Sequence, residues 1–157
     1  MSDFRIVAAQ PTDFYFLPQI HVYVESCIEN GWKEEDIDIL LYNAVGRAID
    51  ARWGILKESY PILNVYFYQD KGVENLLGFY IPVLRPHILK QHFEAFPELQ
   101  KQTIIYTDCD ILWTGNKGIN ELLEDEQCYV SDAHSYMNAT YFDNKINDCL
   151  SEKRESM

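Results

Sequence analysis

Thr103-Ile104-Ile105-Tyr106-Thr107-Asp108-Cys109-Asp110 is a short β-branched and aromatic run that ends in two carboxylates two positions apart. In an extended backbone, residues two apart share a face, so Asp108 and Asp110 are expected to project together from the carboxyl end of a strand. Such a pair offers oxygen ligands to a hard divalent cation, Mn²⁺ or Mg²⁺. A cation of that kind is held by one or two carboxylates plus the phosphates of a substrate, which points to a nucleoside-diphosphate ligand rather than a closed protein cage. The plain alternative is a pair of solvated aspartates opening a turn, a position where Asp is common.

The segments before this stretch alternate between strand and helix patterns. Phe4 to Ala9 is an apolar run broken by Gln10-Pro11-Thr12-Asp13, as expected of a buried first strand entering a loop. Leu17, Ile20, Tyr23, Val24, Cys27 and Ile28 recur at helical spacing until Asn30-Gly31. Asp36 to Tyr42 is a second strand candidate, apolar at Ile37, Ile39 and Leu41 and also at Leu40. Ala44 to Glu58 is predicted as a second helix, with Val45, Ile49, Trp53 and Leu56 on one face, and Ile62 to Tyr68 as a third strand. Leu76 to Phe96 is expected to be mostly helical, broken at Pro82, Pro86 and Pro97. Ile104 to Thr107 is the fourth strand, Ile119 to Leu123 a short helix, and Cys128 to Val130 a fifth strand.

This alternation predicts an α/β fold: a three-layer arrangement with a mostly parallel sheet and helices on both faces. Residues 1–143 are expected to form one domain and 144–157 a polar carboxyl-terminal tail. Ligands of such sheets sit beyond the carboxyl ends of the strands. The loops Ala9 to Asp13, Tyr42-Asn43, Tyr68 to Asp70 and Asp108 to Asp110 all follow strands, so they are expected at one edge.

Composition narrows the function classes. The 157 residues carry a net charge of −12, which argues against nucleic acid, whose binding relies on Lys and Arg neutralising phosphates. An anionic sugar nucleotide is repelled as well unless a cation or a local basic residue reverses the field, so the charge makes a metal more necessary. Cys27, Cys109, Cys128 and Cys149 are scattered, with no C-x-x-C pair, which suggests neither a zinc ribbon nor a disulfide framework. A reducing cytoplasm is the expected location. No apolar run approaches the ~18 residues of a membrane span. No Gly-rich phosphate loop occurs, which disfavours kinases and dehydrogenases.

In this order of elements the chain resembles the amino-terminal half of a GT-A-type glycosyltransferase. It is most similar to the retaining glycosyltransferase family 8 pattern, in which a helical segment with tyrosine and arginine precedes an apolar strand, D-x-D, a further apolar pair and a Gly-led turn. The matching residues are Tyr80 and Arg85, then Ile104 through Gly115, then Ile119 to Leu123; the likeness spans about residues 4 to 134. The resemblance implies a metal-dependent transferase that moves a sugar from a nucleoside-diphosphate donor, a UDP-sugar by family habit, to an acceptor the sequence does not define. It implies that Asp110 binds the metal and that Asp108 shares it or contacts the ribose. Ala8, Ala9 and Gln10 match the backbone turn that meets the nucleobase. Arg85 is placed near the diphosphate or sugar, with Lys90 as a rival. The family's third metal ligand, often a histidine, lies in a carboxyl-terminal region that this chain barely has, and His134 follows the D-x-D closely. A compact or truncated member is expected, or one whose acceptor site comes from a second copy or a partner chain.

Other constellations have their own readings. His87 and His92, five apart, do not share a helix face and are expected at the surface or boundary. Asp132 and His134 read as a hydrogen-bonded turn, or else as a metal or acceptor site. Tyr66-Phe67-Tyr68 reads as sheet packing, and Cys109 as a packed thiol facing away from the carboxylates. Trp113, three residues past the aspartates, is open between packing and a site role. Haloacid-dehalogenase-like phosphatases also carry D-x-D after a strand, but near the start of the domain and followed by motifs for which little chain remains here. A non-catalytic nucleotide-sugar-binding half is the other alternative.

Overall fold

The computed structural model describes residues 4–43, 46–69 and 84–115, all within the compact unit Met1–Lys117. The apolar runs form four strands, β1 (Phe4–Pro11), β2 (Ile37–Asn43), β3 (Asn64–Gln69) and β4 (Thr103–Tyr106). They make an all-parallel sheet of order β3-β2-β1-β4. Ile6 pairs with Ile37 and with Ile105, and Tyr42 pairs with Tyr68. Among the described residues three helices accompany them: α1 (Phe16–Glu29), α2 (Ile55–Ser59) and α3 (Leu84–Ala95).

Strand alternation divides the interior into two cores. Ile6, Ala8, Ile37, Ile39 and Leu41 face α1 and α2 together with Leu17, Ile20, Trp53 and Leu56. Val7, Ala9, Leu40 and Tyr42 face the other way, onto Leu84 and Ile88 of α3. Helices therefore cover both faces, and every residue of β2 is buried. This explains why Leu40 breaks a simple alternating pattern: a strand covered on both faces reads as a continuous apolar run.

The third and fourth strands shift by one or two residues from expectation, to Asn64–Gln69 and Thr103–Tyr106, and three larger departures have physical causes. β1 continues through Gln10 and Pro11, which pair with Leu41 and Tyr42. Pro11 is tolerated because Thr12 N–H donates to Tyr42 O while Thr107 N–H donates to Val7 O. By alternation, Pro11's missing N–H therefore falls on the β4 side, beyond the end of β4, and removes no ladder bond. The helix expected over Ala44 to Glu58 is confined to a 3-10 turn, Ala51–Gly54, running into α2. Gly46 has φ +78°, outside the helical region. Asp50 then caps the turn by accepting from Arg52 N–H, and Ile49 is exposed whereas Trp53 and Leu56 are buried. Pro86 lies inside the first turn of α3 rather than breaking it, since an N–H there has no intrahelical partner to lose. The expected features at Val45, Asp70, Leu76 to Val83 including Tyr80, Ile119 to Leu123, Cys128 to Val130, Asp132, His134 and 144–157 lie outside the described residues.

The exit of α1 is fixed by Gly31 at φ +89°. Gly31 N–H donates to Ile28 O and Trp32 N–H to Cys27 O, which satisfies two terminal carbonyls in a Schellman arrangement. Gly31→Ala is expected to lower stability by about 1–2 kcal/mol, the penalty of a Cβ in the left-handed region. Urea denaturation measures it, and an unchanged midpoint would show that this turn tolerates a side chain. Among the described residues, no helix is long and apolar enough to cross a membrane.

Candidate functional site

Because all four strands run parallel, their carboxyl ends share one edge. The chain builds β2 and β3 outward on one side of β1 and then crosses to place β4 on the other side. That reversal is a topological switch point, where open α/β sheets form their binding crevice. β4 stays paired with β1 only to Val7 and Tyr106, with one further bond from Thr107 N–H to Val7 O at 3.1 Å. Beyond that point the two chains part.

Three residues expected at a site meet here from separate elements. Arg85, in the first turn of α3, places Nη1 2.7 Å from Oδ1 of Asp108. Its Nη2 donates to Oε1 of Gln10 at 3.3 Å. Gln10 is almost fully buried near the end of β1. Burial of Tyr106 raises its phenol to about 12, with Arg85 pulling it down and Asp108 pushing it up, so both charges reach this ring. Lys90, by contrast, is exposed and pairs along the helix surface with Glu94, so of the two it is Arg85 that meets the carboxylates.

The carboxylates do not sit on a continuous strand. β4 ends at Tyr106, and Cys109 and Asp110 belong to a turn. Burial nonetheless alternates: Asp108 is partly exposed, Cys109 lies in the first core, and Asp110 is exposed. Both carboxylates thus stay on the solvent side of a buried thiol. That thiol is pushed up to about 12, chiefly by burial, so Cys109 packs rather than reacts. Among the described residues no third His, Cys, Asp or Glu joins the pair as a metal cluster. Two carboxylates suit a hard cation that takes its remaining ligands from water and phosphate.

Ala8 and Ala9 lie within β1, fully buried, with side chains in opposite cores. Trp113 does not stand over the carboxylates. Its ring packs against Trp32 at a centroid distance of 5.3 Å, and its backbone is held by Ser26 Oγ and Asn30 Nδ2 on and after α1. Tyr66 and Tyr68 pack against the second core, as expected of sheet residues, while Phe67 is exposed. His87 is exposed, as expected. His92 is not a surface or boundary residue: it is fully buried on the stripe Leu84, Ile88, His92 that α3 turns toward the sheet.

Sequence reasoning missed two polar groupings. At the site edge, Thr12 Oγ1 donates to Asn43 Oδ1 at 2.9 Å, Asn43 Nδ2 donates to Arg47 O, and Trp53 Nε1 donates to Thr12 O at 3.1 Å. These bonds tie together the loops after β1 and β2. In the second core, buried Asp38 receives Nε of Arg5 at 3.1 Å and Nε2 of His92 at 3.4 Å, while His92 Nδ1 meets the Tyr68 hydroxyl at 2.7 Å. Arg5 Nε–H is not aligned for a hydrogen bond, so its contact with Asp38 is an ion pair by distance; its Nη1 donates to Glu35 O at 2.6 Å. A carboxylate can only accept, so His92 presents Nε2–H to Asp38, while Nδ1 shares a hydrogen bond with the Tyr68 hydroxyl. The available signal was Asp38 itself, a charged residue inside an apolar strand.

Comparison with protein-family models, with curated proteins and with solved structures returns no match. The structure defines a small α/β domain with a four-strand parallel sheet of Rossmann-like order.

Proposed function

We propose that this edge is the donor site of a metal-dependent glycosyltransferase of GT-A type, taking a nucleoside-diphosphate sugar with Mn²⁺ or Mg²⁺. One observation carries the reading: at the switch point of the sheet, Arg85, bonded to Gln10 through its other terminal nitrogen, pairs with the first of two carboxylates that follow β4. Asp108 and Asp110 would hold the metal. When bound, the metal would supply positive charge to the departing diphosphate as the anomeric carbon–oxygen bond breaks. Arg85 offers its fork to phosphate oxygens, a geometry that suits phosphate better than a lysine point charge does. Gln10 orients that fork from the end of β1.

A second reading is favoured by what these groups are. Arg85, Gln10, Asp108 and Asp110 bind and neutralise, and the one thiol among them, Cys109, is buried. A nucleotide-sugar-binding half that acts with a partner chain or a second copy fits the same site, and the acceptor is undefined in both readings.

With uridine diphosphate and Mn²⁺ at about a hundred times their dissociation constant, binding should stabilise the protein by about 2.7 kcal/mol. That corresponds to a rise in thermal midpoint of roughly 5–10 °C at this chain length. Asp110→Asn should remove the metal-dependent part of the rise and leave the unliganded midpoint in place, because Asp110 is exposed. Absence of any heat or midpoint shift across several nucleotides with metal would defeat the donor-site reading. Product formation from a sugar nucleotide separates the transferase from the binding half.

A further inference from the structure

Arg85 and Asp108 are each engaged with the other in the ligand-free protein, at 2.7 Å, and the guanidinium is steadied on its other side by Gln10 at 3.3 Å. Resting on the donor-site reading above, we propose that this ion pair is an interlock: it masks Asp108 from a free cation and Arg85 from a free phosphate, so the site takes metal and diphosphate together. A carboxylate oxygen already accepting a guanidinium N–H is a poor ligand for a cation, and the cation would also meet the Arg85 charge. An anionic phosphate arriving alone meets Asp108 and Asp110 and must compete with Asp108 for Arg85. A metal–diphosphate complex satisfies every partner at once: the phosphate oxygens receive Arg85 as Asp108 turns to the cation. The number of charge-assisted contacts is kept, whereas either component alone leaves one member of the pair without its counter-charge.

The arrangement supports an exchange rather than a permanent strut. The Arg85 side chain is 20% exposed and that of Asp108 41%, so a ligand can reach both. Arg85 Nε is buried with no hydrogen-bond partner, so the guanidinium is held through its two terminal nitrogens alone. Asp110, two residues after Asp108, is exposed and makes no ion pair among the described residues, so it is available to the metal throughout. Coupling of this kind is reciprocal, so it is measurable from either ligand.

The test is calorimetric titration of the full chain with Mn²⁺ alone and with uridine diphosphate alone. Mn²⁺ with uridine diphosphate is titrated as well, with metal–nucleotide association in protein-free buffer subtracted. Arg85→Gln should tighten binding of Mn²⁺ alone by ~10-fold, within the usual range of coupling between sites, while weakening binding of the metal–nucleotide complex. Lys90→Gln removes the same charge from the surface of the same helix and should leave both affinities within about twofold of the original, because Lys90 is exposed and already pairs with Glu94 rather than with the site. Read from the other side, Asp108→Asn should tighten metal-free uridine diphosphate, and the gain should vanish in the Arg85→Gln, Asp108→Asn double variant. If Arg85→Gln fails to fold, Asp108→Asn alone decides the matter, and unchanged or weaker binding of metal-free uridine diphosphate in that variant overturns the interlock. A wild-type chain that binds Mn²⁺ with uridine diphosphate, combined with unchanged or weaker Mn²⁺ binding in Arg85→Gln, overturns the interlock and leaves the donor site standing. Equal gains in Lys90→Gln and Arg85→Gln overturn it too. A wild-type chain that binds neither component nor their complex removes the donor site, and the interlock with it.

Discussion

Asp38→Ala should lower the stability of the chain by about 3–5 kcal/mol, the usual cost of removing one partner from a buried charged pair. Asp38 has no solvent exposure, and two groups depend on its carboxylate: Arg5 Nε at 3.1 Å and His92 Nε2 at 3.4 Å. Alanine would leave the Arg5 guanidinium without its ion-pair partner and the His92 imidazole N–H unsatisfied, beside the rings of Tyr66, Tyr68 and Phe96 that enclose His92. Asp38→Asn keeps the shape and one acceptor oxygen and should cost less. Urea denaturation of both variants, with slopes matching the wild type so that the midpoints report stability alone, supplies the check. A shift for Asp38→Ala within about 0.5 kcal/mol of zero, the range of an ordinary surface substitution, would show the network to be dispensable.

Trp53→Ala carries the second large effect, about 3–5 kcal/mol for deleting a buried tryptophan. Trp53 is 2% exposed and joins Ile6, Leu17 and Leu56 in the first core. Its indole N–H reaches Thr12 O at 3.1 Å, so the same side chain fills the core and holds the loop after β1. Trp53→Phe separates the two roles: most of the apolar burial survives while the hydrogen bond is lost, at about 1 kcal/mol. Circular dichroism is the suitable probe, because removing the indole alters fluorescence directly. Equal losses for both substitutions would assign the effect to the loop rather than to the core.

The strands were legible because each is a short apolar run bounded by turn residues, and burial on both faces explains even the irregular Leu40. The parallel order followed from alternation with helices. Helix α2 was read too long because Val45, Ile49, Trp53 and Leu56 imitate a helical stripe, while the backbone at Gly46 and the Asp50 cap decide where the turn begins. His92 was misplaced for a different reason. A lone polar residue on an apolar stripe takes its meaning from its partner, and Asp38 lies 54 residues away in another element. At the site, the carboxylates and Gln10 were visible as residues following strands. Arg85 was singled out by resemblance, and its contact with Asp108 depends on how α3 crosses the sheet, which no local pattern encodes.

Helix α3 carries both Arg85 and His92, seven residues or about two turns apart, close to 10 Å along the axis and nearly on the same side. One is clasped in the interior by Asp38 and Tyr68, and the other stands at the carboxyl edge of the sheet. The helix is therefore pinned like a tiller at its pivot. A ligand that draws Arg85 away from Asp108 can do so by swinging the side chain, because translating the helix would tear His92 from its anchor. On the donor-site proposal, the reach of the guanidinium would then be set by a histidine held in the interior, about two turns away along the helix.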